Sequence, residues 1–151
     1  MSPHEPLFHL RALREPDGLV RLVAGNVTFG VEGALPLDAK STHPSALDLL
    51  VGALAADLLT AFDREASRGG IPLHEAELRL TARLDNPLVA LGVVGESGTA
   101  GLAGIAGALA VSTDSPEPEV RAMWERALQR SPVHATLSRT TPIRIELRLF
   151  V

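Results

Sequence analysis

At 151 residues, 46% hydrophobic and 21% charged, the sequence has the length and composition of one soluble globular domain with a real core, which excludes a disordered chain. A net charge of −4, only 3% aromatic residues and no Tyr supply neither a basic field nor a stacking platform, so nucleic acid is not an expected partner. Zero cysteines remove disulfides, thiolate metal sites and sulfur nucleophiles together.

Met1 to Pro6 lacks the basic-then-apolar order of a signal peptide, and the longest uncharged apolar run, Leu102 to Val111, is too short to cross a bilayer. The expectation is a cytoplasmic protein with no membrane partner, spanning 1–151 as a single domain. Strand-like runs come first: Leu7 to Leu13, a turn at Pro16-Asp17-Gly18, Leu19 to Ala24, a turn at Gly25-Asn26, then Val27 to Val31. These form an antiparallel meander leading into a loop with Pro36, Lys40 and His43.

The chain is organised around His43 to Phe62. Leu47, Leu50, Val51, Leu54, Leu58, Ala61 and Phe62 recur at helical spacing, and Leu49, Ala53, Ala55, Ala56 and Leu59 extend apolar character round the other sides, predicting a long helix buried on most faces. Ser45 with Asp48 forms an Asp-containing capping box, and a polar last turn with Arg64, Glu65, Ser67 and Arg68 ends at Gly69-Gly70. Asp57 is the exception, an ionisable group in the most apolar part of the helix.

The clearest strand follows, with Ala76, Leu78, Leu80, Ala82 and Leu84 on one face and Glu77, Arg79, Thr81 and Arg83 on the other. From Asp85 to Gly107 the glycines at Gly92, Gly95, Gly98, Gly101, Gly104 and Gly107 read as a loop entering a strand near Ile105 to Ser112, because they match neither a Walker loop nor a dinucleotide fingerprint. Pro118 to Arg130 is a second helix with Val120, Met123, Trp124, Ala127 and Leu128 in its apolar stripe; Ser131-Pro132 interrupts it, and Val133 to Ser138 gives a further helical turn. A last strand alternates Ile143, Ile145, Leu147 and Leu149 with Arg144, Glu146 and Arg148. This order gives an α+β fold with a largely antiparallel sheet. One modest sheet cannot cover a helix that is apolar all round, so a homodimer is expected.

Two segments carry a resemblance. His43 to Asp57 resembles the Pro-Ser-Pro-Leu-Glu-Leu-Leu-Leu-Ala-Ala-Leu-Ala-Gly-Cys segment of the OsmC/Ohr family, and Arg130 to Leu137 resembles its Cys-Pro-Val-Ser-x-Thr-Leu segment. The resemblance implies an intertwined α+β homodimer with pockets at the subunit interface. It further implies the hydroperoxide-detoxification activity of the family, in which a peroxidatic cysteine becomes a sulfenic acid that a second cysteine resolves. In this sequence Asp57 stands at the first position and Ser131 at the second. A carboxylate has no sulfenate-like oxidation state, and a serine hydroxyl cannot resolve one, so thiol peroxidase chemistry is denied to this chain. Asp48 matches an acidic position of the family helix, and Arg14 is the match for its activating arginine.

Each of these residues also has a plainer role. Asp57 acts either as a pocket acid or base or as a structural carboxylate, the preferred reading; Ser131 is a local cap, and Asp48 serves the first turn of its helix. His4, His9, His43, His74 and His134 show no metal-ligand spacing, so no metal or cofactor is expected. Ser131, His134 and Asp57 can be assembled on paper into a hydrolase triad, without a nucleophile elbow. The leading reading is a non-catalytic homodimer binding a small apolar ligand in an interface pocket with Asp57 on its wall, to which Arg14, Asp48 and His134 are candidate contributors. The alternatives are an enzyme using Asp57 as acid or base with Ser131 or His134, and a purely structural dimer.

Overall fold

Ser45 and Asp48 start the longest element of the fold. In the computed structural model, which describes residues 6–37 and 40–150, the Ser45 Oγ accepts from the Asp48 N–H at 3.1 Å while Asp48 Oδ2 accepts from both the Ser45 N–H and its hydroxyl at 2.8 Å. Two of the orphan donors at the helix start are thereby satisfied reciprocally, and helix α1 runs Ala46–Gly69. Its end is a Schellman turn: Gly70 takes φ 65°, the Ile71 N–H bonds the Ala66 carbonyl at 3.0 Å, and the Gly70 N–H bonds that of Ser67 at 3.4 Å. The residues of the leader reading, Met1 to Glu5, and His4 among them, lie outside the described residues.

The chain forms two compact units, residues 1–50 and 51–151. In the first, strands β1 (Arg11–Arg14), β2 (Val20–Ala24) and β3 (Val27–Val31) pair in order as the expected antiparallel meander. The first strand begins at Arg11 rather than Leu7, because Arg11 already faces Val23 near the end of β2 and the preceding residues meet no strand. Beyond β3, a bridge between Glu32 and Ser45 ties the meander to the start of α1.

The second unit holds strands β4 (Glu75–Leu84), β5 (Leu102–Ser112) and β6 (Ile143–Phe150), with helices α2 (Pro87–Ala90), α3 (Glu117–Arg130) and α4 (Pro132–Leu137). The fold is α+β and largely antiparallel as expected, in two three-stranded sheets in place of one, with a single parallel pairing among the described strands. β4 and β5 are antiparallel, whereas β5 and β6 run parallel. The reason is the connection: α3 and α4 supply the long crossover that a parallel return requires. The glycine-rich loop also contains α2, which starts where Asn86 caps the Leu88 N–H at 2.9 Å and Pro87 occupies the first turn.

The core of this unit is built by Leu54, Leu58, Ala61, Phe62 and Ala66 of α1, Ile105, Leu109 and Val111 of β5, Val120, Met123, Trp124 and Ala127 of α3, and Leu147 of β6. Phe62 meets Trp124 edge to face, ring centroids 5.8 Å apart. Burial of α1 follows one stripe and does not extend all round. Within the single chain Gly52, Ala53 and Ala56 remain exposed, since small residues raise the apolar count without carrying much area that needs cover.

One glycine of the periodic run has a packing requirement. A Cβ at Gly107 would lie 1.9 Å from the Arg79 carbonyl oxygen, and that oxygen belongs to the neighbouring strand's backbone. Gly107→Ala is therefore expected to lower the unfolding free energy by about 1–3 kcal/mol. At Gly104 a Cβ would meet the Pro142 oxygen at an ordinary 3.5 Å, so Gly104→Ala serves as the milder comparison. Urea unfolding of both variants checks this, and equal losses would contradict it.

Candidate functional site

Asp57 sits on α1 beside the buried stripe, between Leu54 and Leu58, and is half-buried. α4 begins opposite it. Pro132 cannot continue α3, so Ser131 adopts an extended conformation (φ −87°, ψ 111°) and becomes the N-cap of α4, its Oγ accepting from the His134 N–H at 3.0 Å. The same hydroxyl donates to Asp57 Oδ2 at 2.5 Å, and that oxygen also accepts the Val133 N–H at 3.0 Å. Ser131 is fully buried, and its hydroxyl is satisfied both as donor and as acceptor. The carboxylate of Asp57 thus takes an N–H of the first turn of α4 and orders the hydroxyl that caps it.

The structure brings Asp57, Ser131 and His134 together, but not in the order of a hydrolytic triad. The Ser131 proton points at the carboxylate, and His134 meets Ser131 only through its backbone N–H. The imidazole of His134 turns elsewhere: its Nδ1 lies 3.1 Å from the Leu128 carbonyl oxygen. A carbonyl only accepts, so Nδ1 carries the hydrogen, and in the neutral ring Nε2 is the free acceptor. His134 borders a cleft of about 540 Å³ lined by Leu128, Ile143 and Ile145, by Ala106 and Gly107, and by the charged residues Arg144 and Glu146. Asp57 and Ser131 are not part of that lining.

The other candidates sit apart from this constellation in the chain. Asp48 has its Oδ2 engaged by Ser45, and these hydrogen bonds, to the backbone first and the hydroxyl second, hold its carboxyl below the usual range against a small opposing effect of burial. Arg14 closes β1 opposite Val20, with its side chain exposed. Among the described residues no group of three or more His, Asp or Glu is placed to hold a metal ion.

One fully buried carboxylate was not singled out in the sequence. Glu65, read as part of a polar last turn, is only 3% exposed and takes Arg68 Nη1 at 2.9 Å and Arg130 Nη1 on Oε1, and Arg126 Nε at 3.1 Å on Oε2. Burial pushes its pKa up, but the hydrogen bonds and charges of Arg130 and Arg126, with Arg68, pull it down further, and the net result lies below the ordinary value. The signal was spacing: Glu65 continues the stripe Leu54, Leu58, Ala61, Phe62.

A family model described as "OsmC-like protein" matches residues 38–146. Among solved structures, an OsmC-like protein from Mycoplasma pneumoniae is 19% identical, with a TM-score of 0.78 over 97% of each chain. The organic hydroperoxide resistance protein OhrB of Bacillus subtilis is 17% identical, with a TM-score of 0.63 over 94% of this chain and 98% of that one. An organic hydroperoxide resistance protein from Legionella pneumophila is 16% identical, with a TM-score of 0.63 over 97% and 98% of the two chains. At these identities the structural likeness speaks for the fold. No curated protein matches the chain in sequence.

The capping box makes an acid-side prediction. Because the folded carboxyl of Asp48 titrates below its ordinary value, its contribution to stability is fully present above about pH 4 and is lost as pH falls through the depressed value. The carboxyl resonance of Asp48, followed by NMR through acid, is expected to titrate below the ordinary Asp value in the wild type. In Ser45→Ala its midpoint should move back up, and an unchanged midpoint would contradict the assignment.

Proposed function

The chain belongs to the OsmC-like protein family, and from that premise we propose that this cysteine-free member works by binding and not by thiol chemistry, holding a small apolar molecule with one hydrogen-bond donor against the cleft beside His134. The observation that carries this reading is the state of the two positions matched to the family cysteines. Asp57 Oδ2 is occupied by the Ser131 hydroxyl and the Val133 N–H, and Ser131 is fully buried. The Ser131 hydroxyl is committed as donor and acceptor, Asp57 holds it through Oδ2, and neither residue has a redox step available to it. The cleft supports the ligand class: Ile143, Ile145 and Leu128 offer apolar contact, the His134 Nε2 offers an acceptor beside them, and Arg144 and Glu146, the latter held by Arg148, are the charged residues of the lining. A homodimer belongs to the same reading, supported by Val27 and Phe29, 60% and 36% exposed on β3.

Two measurements test it. Wild-type protein given an organic hydroperoxide and excess dithiol is expected to show no consumption above the uncatalysed rate, and turnover would overturn the reading. A medium-chain alcohol titrated against the protein should shift the Ile143 and Ile145 methyl resonances saturably. His134→Phe, which keeps a ring but loses the acceptor, should weaken that binding about three- to tenfold, as expected for one neutral hydrogen bond. Absence of saturable shifts in the wild type would refute the ligand assignment.

A further inference from the structure

The cluster at Glu65 carries more positive charge than a structural ion pair requires. Three guanidinium groups, from Arg68, Arg126 and Arg130, bond one buried carboxylate, which leaves two positive charges uncompensated on a chain whose net charge is −4. Arg68 and Arg130 share the single oxygen Oε1, so their charged heads are forced close together. The carboxylate forms the floor at 3% exposure, while the three arginine side chains above it are 63%, 45% and 52% exposed. Each guanidinium has five N–H donors, and each gives one of them to Glu65. Arg126 binds through Nε and so keeps both terminal nitrogens for another acceptor.

We propose that Arg68, Arg126 and Arg130 form a binding site for a doubly charged oxyanion, a phosphate group, with Glu65 as the fixed strut that holds the guanidinium groups in place. The chemistry favours this class. Planar N–H forks match the geometry of phosphate oxygens, and an anion of charge near −2 neutralises what Glu65 leaves over. The scaffold is prepared in advance, because Arg68 stands on α1 and Arg126 and Arg130 stand one turn apart on α3. Arg68 and Arg130 also lie in the last turns of their helices, where the C-terminal carbonyls attract cations. That attraction helps to retain the two heads there, and because the same carbonyl ends oppose an anion, binding rests on the guanidinium charge in excess of Glu65. The site is independent of the His134 cleft.

The test is a titration of the full chain with inorganic phosphate and, separately, phenyl phosphate, each against chloride at matched ionic strength. The backbone amide resonances of residues 126–130 and the Arg130 side-chain N–H resonances are followed by NMR. Saturable shifts with both phosphates and none with chloride are expected. Arg126→Gln should weaken binding about tenfold or more, whereas Arg121→Gln, which removes a guanidinium of α3 paired with Glu117, should leave it unchanged. If Arg126→Gln unfolds the chain, Arg68→Gln replaces it, since Arg68 is the most exposed of the three. Tighter binding of phenyl phosphate identifies a phosphomonoester as the natural ligand, and equal binding identifies the free ion. Shifts that track ionic strength alone, or folded variants that bind phosphate as the wild type does, overturn the proposal.

Discussion

The carboxylate of Asp57 holds the junction between α3 and α4 against α1. Its Oδ2 takes the Ser131 hydroxyl at 2.5 Å and the Val133 N–H at 3.0 Å, and the ordered hydroxyl in turn caps His134. Hydrogen bonds to a charged acceptor contribute about 1.5–3 kcal/mol each, and a buried donor left without a partner costs about 1–3 kcal/mol. Two such bonds converge on one oxygen from a chain break that Pro132 makes unavoidable. The placement of α4, and with it the orientation of His134 over the Leu128 carbonyl, follows from that contact.

Asp57 and Ser131, the two positions that the resemblance sets against cysteines, meet in this chain through a hydrogen bond. A thiol pair joins through a disulfide that electrons make and break, whereas a hydroxyl and a carboxylate join through a shared proton. Position 57 is linked to position 131 without any redox capacity. Glu65, two turns further along α1, is bound by cations where Asp57 is bound by neutral donors. The one helix therefore holds a carboxylate fixed by a hydroxyl and a backbone N–H, and another fixed by three arginines.

Much of this was legible in the sequence where the signal is local. Ser45 and Asp48 start α1, Gly70 ends it, and Ser131-Pro132 marks the step from α3 to α4, because caps and breaks depend on a few adjacent residues. The link from Asp57 to Ser131 spans 74 positions and no spacing rule reaches it. The resemblance of two segments named both residues, and the coordinates joined them. The parallel pairing of β5 with β6 was not legible, because alternation of Ile143, Ile145, Leu147 and Leu149 reports a buried face and says nothing about the direction of the neighbour. Glu65 is grouped by residue type with a polar last turn, although its position on the stripe of Leu58 and Phe62 places it inside. Charge masked periodicity there.

The most direct measurement is a double-mutant cycle on unfolding free energy with Asp57→Asn, Ser131→Ala and the pair together. If the carboxylate and the hydroxyl act as one structural clip, each single variant is destabilised and the double variant loses less than the sum, with a coupling of about 1–2 kcal/mol. Additive losses, within about 0.3 kcal/mol, would show that the two side chains do not stabilise each other and would contradict the account.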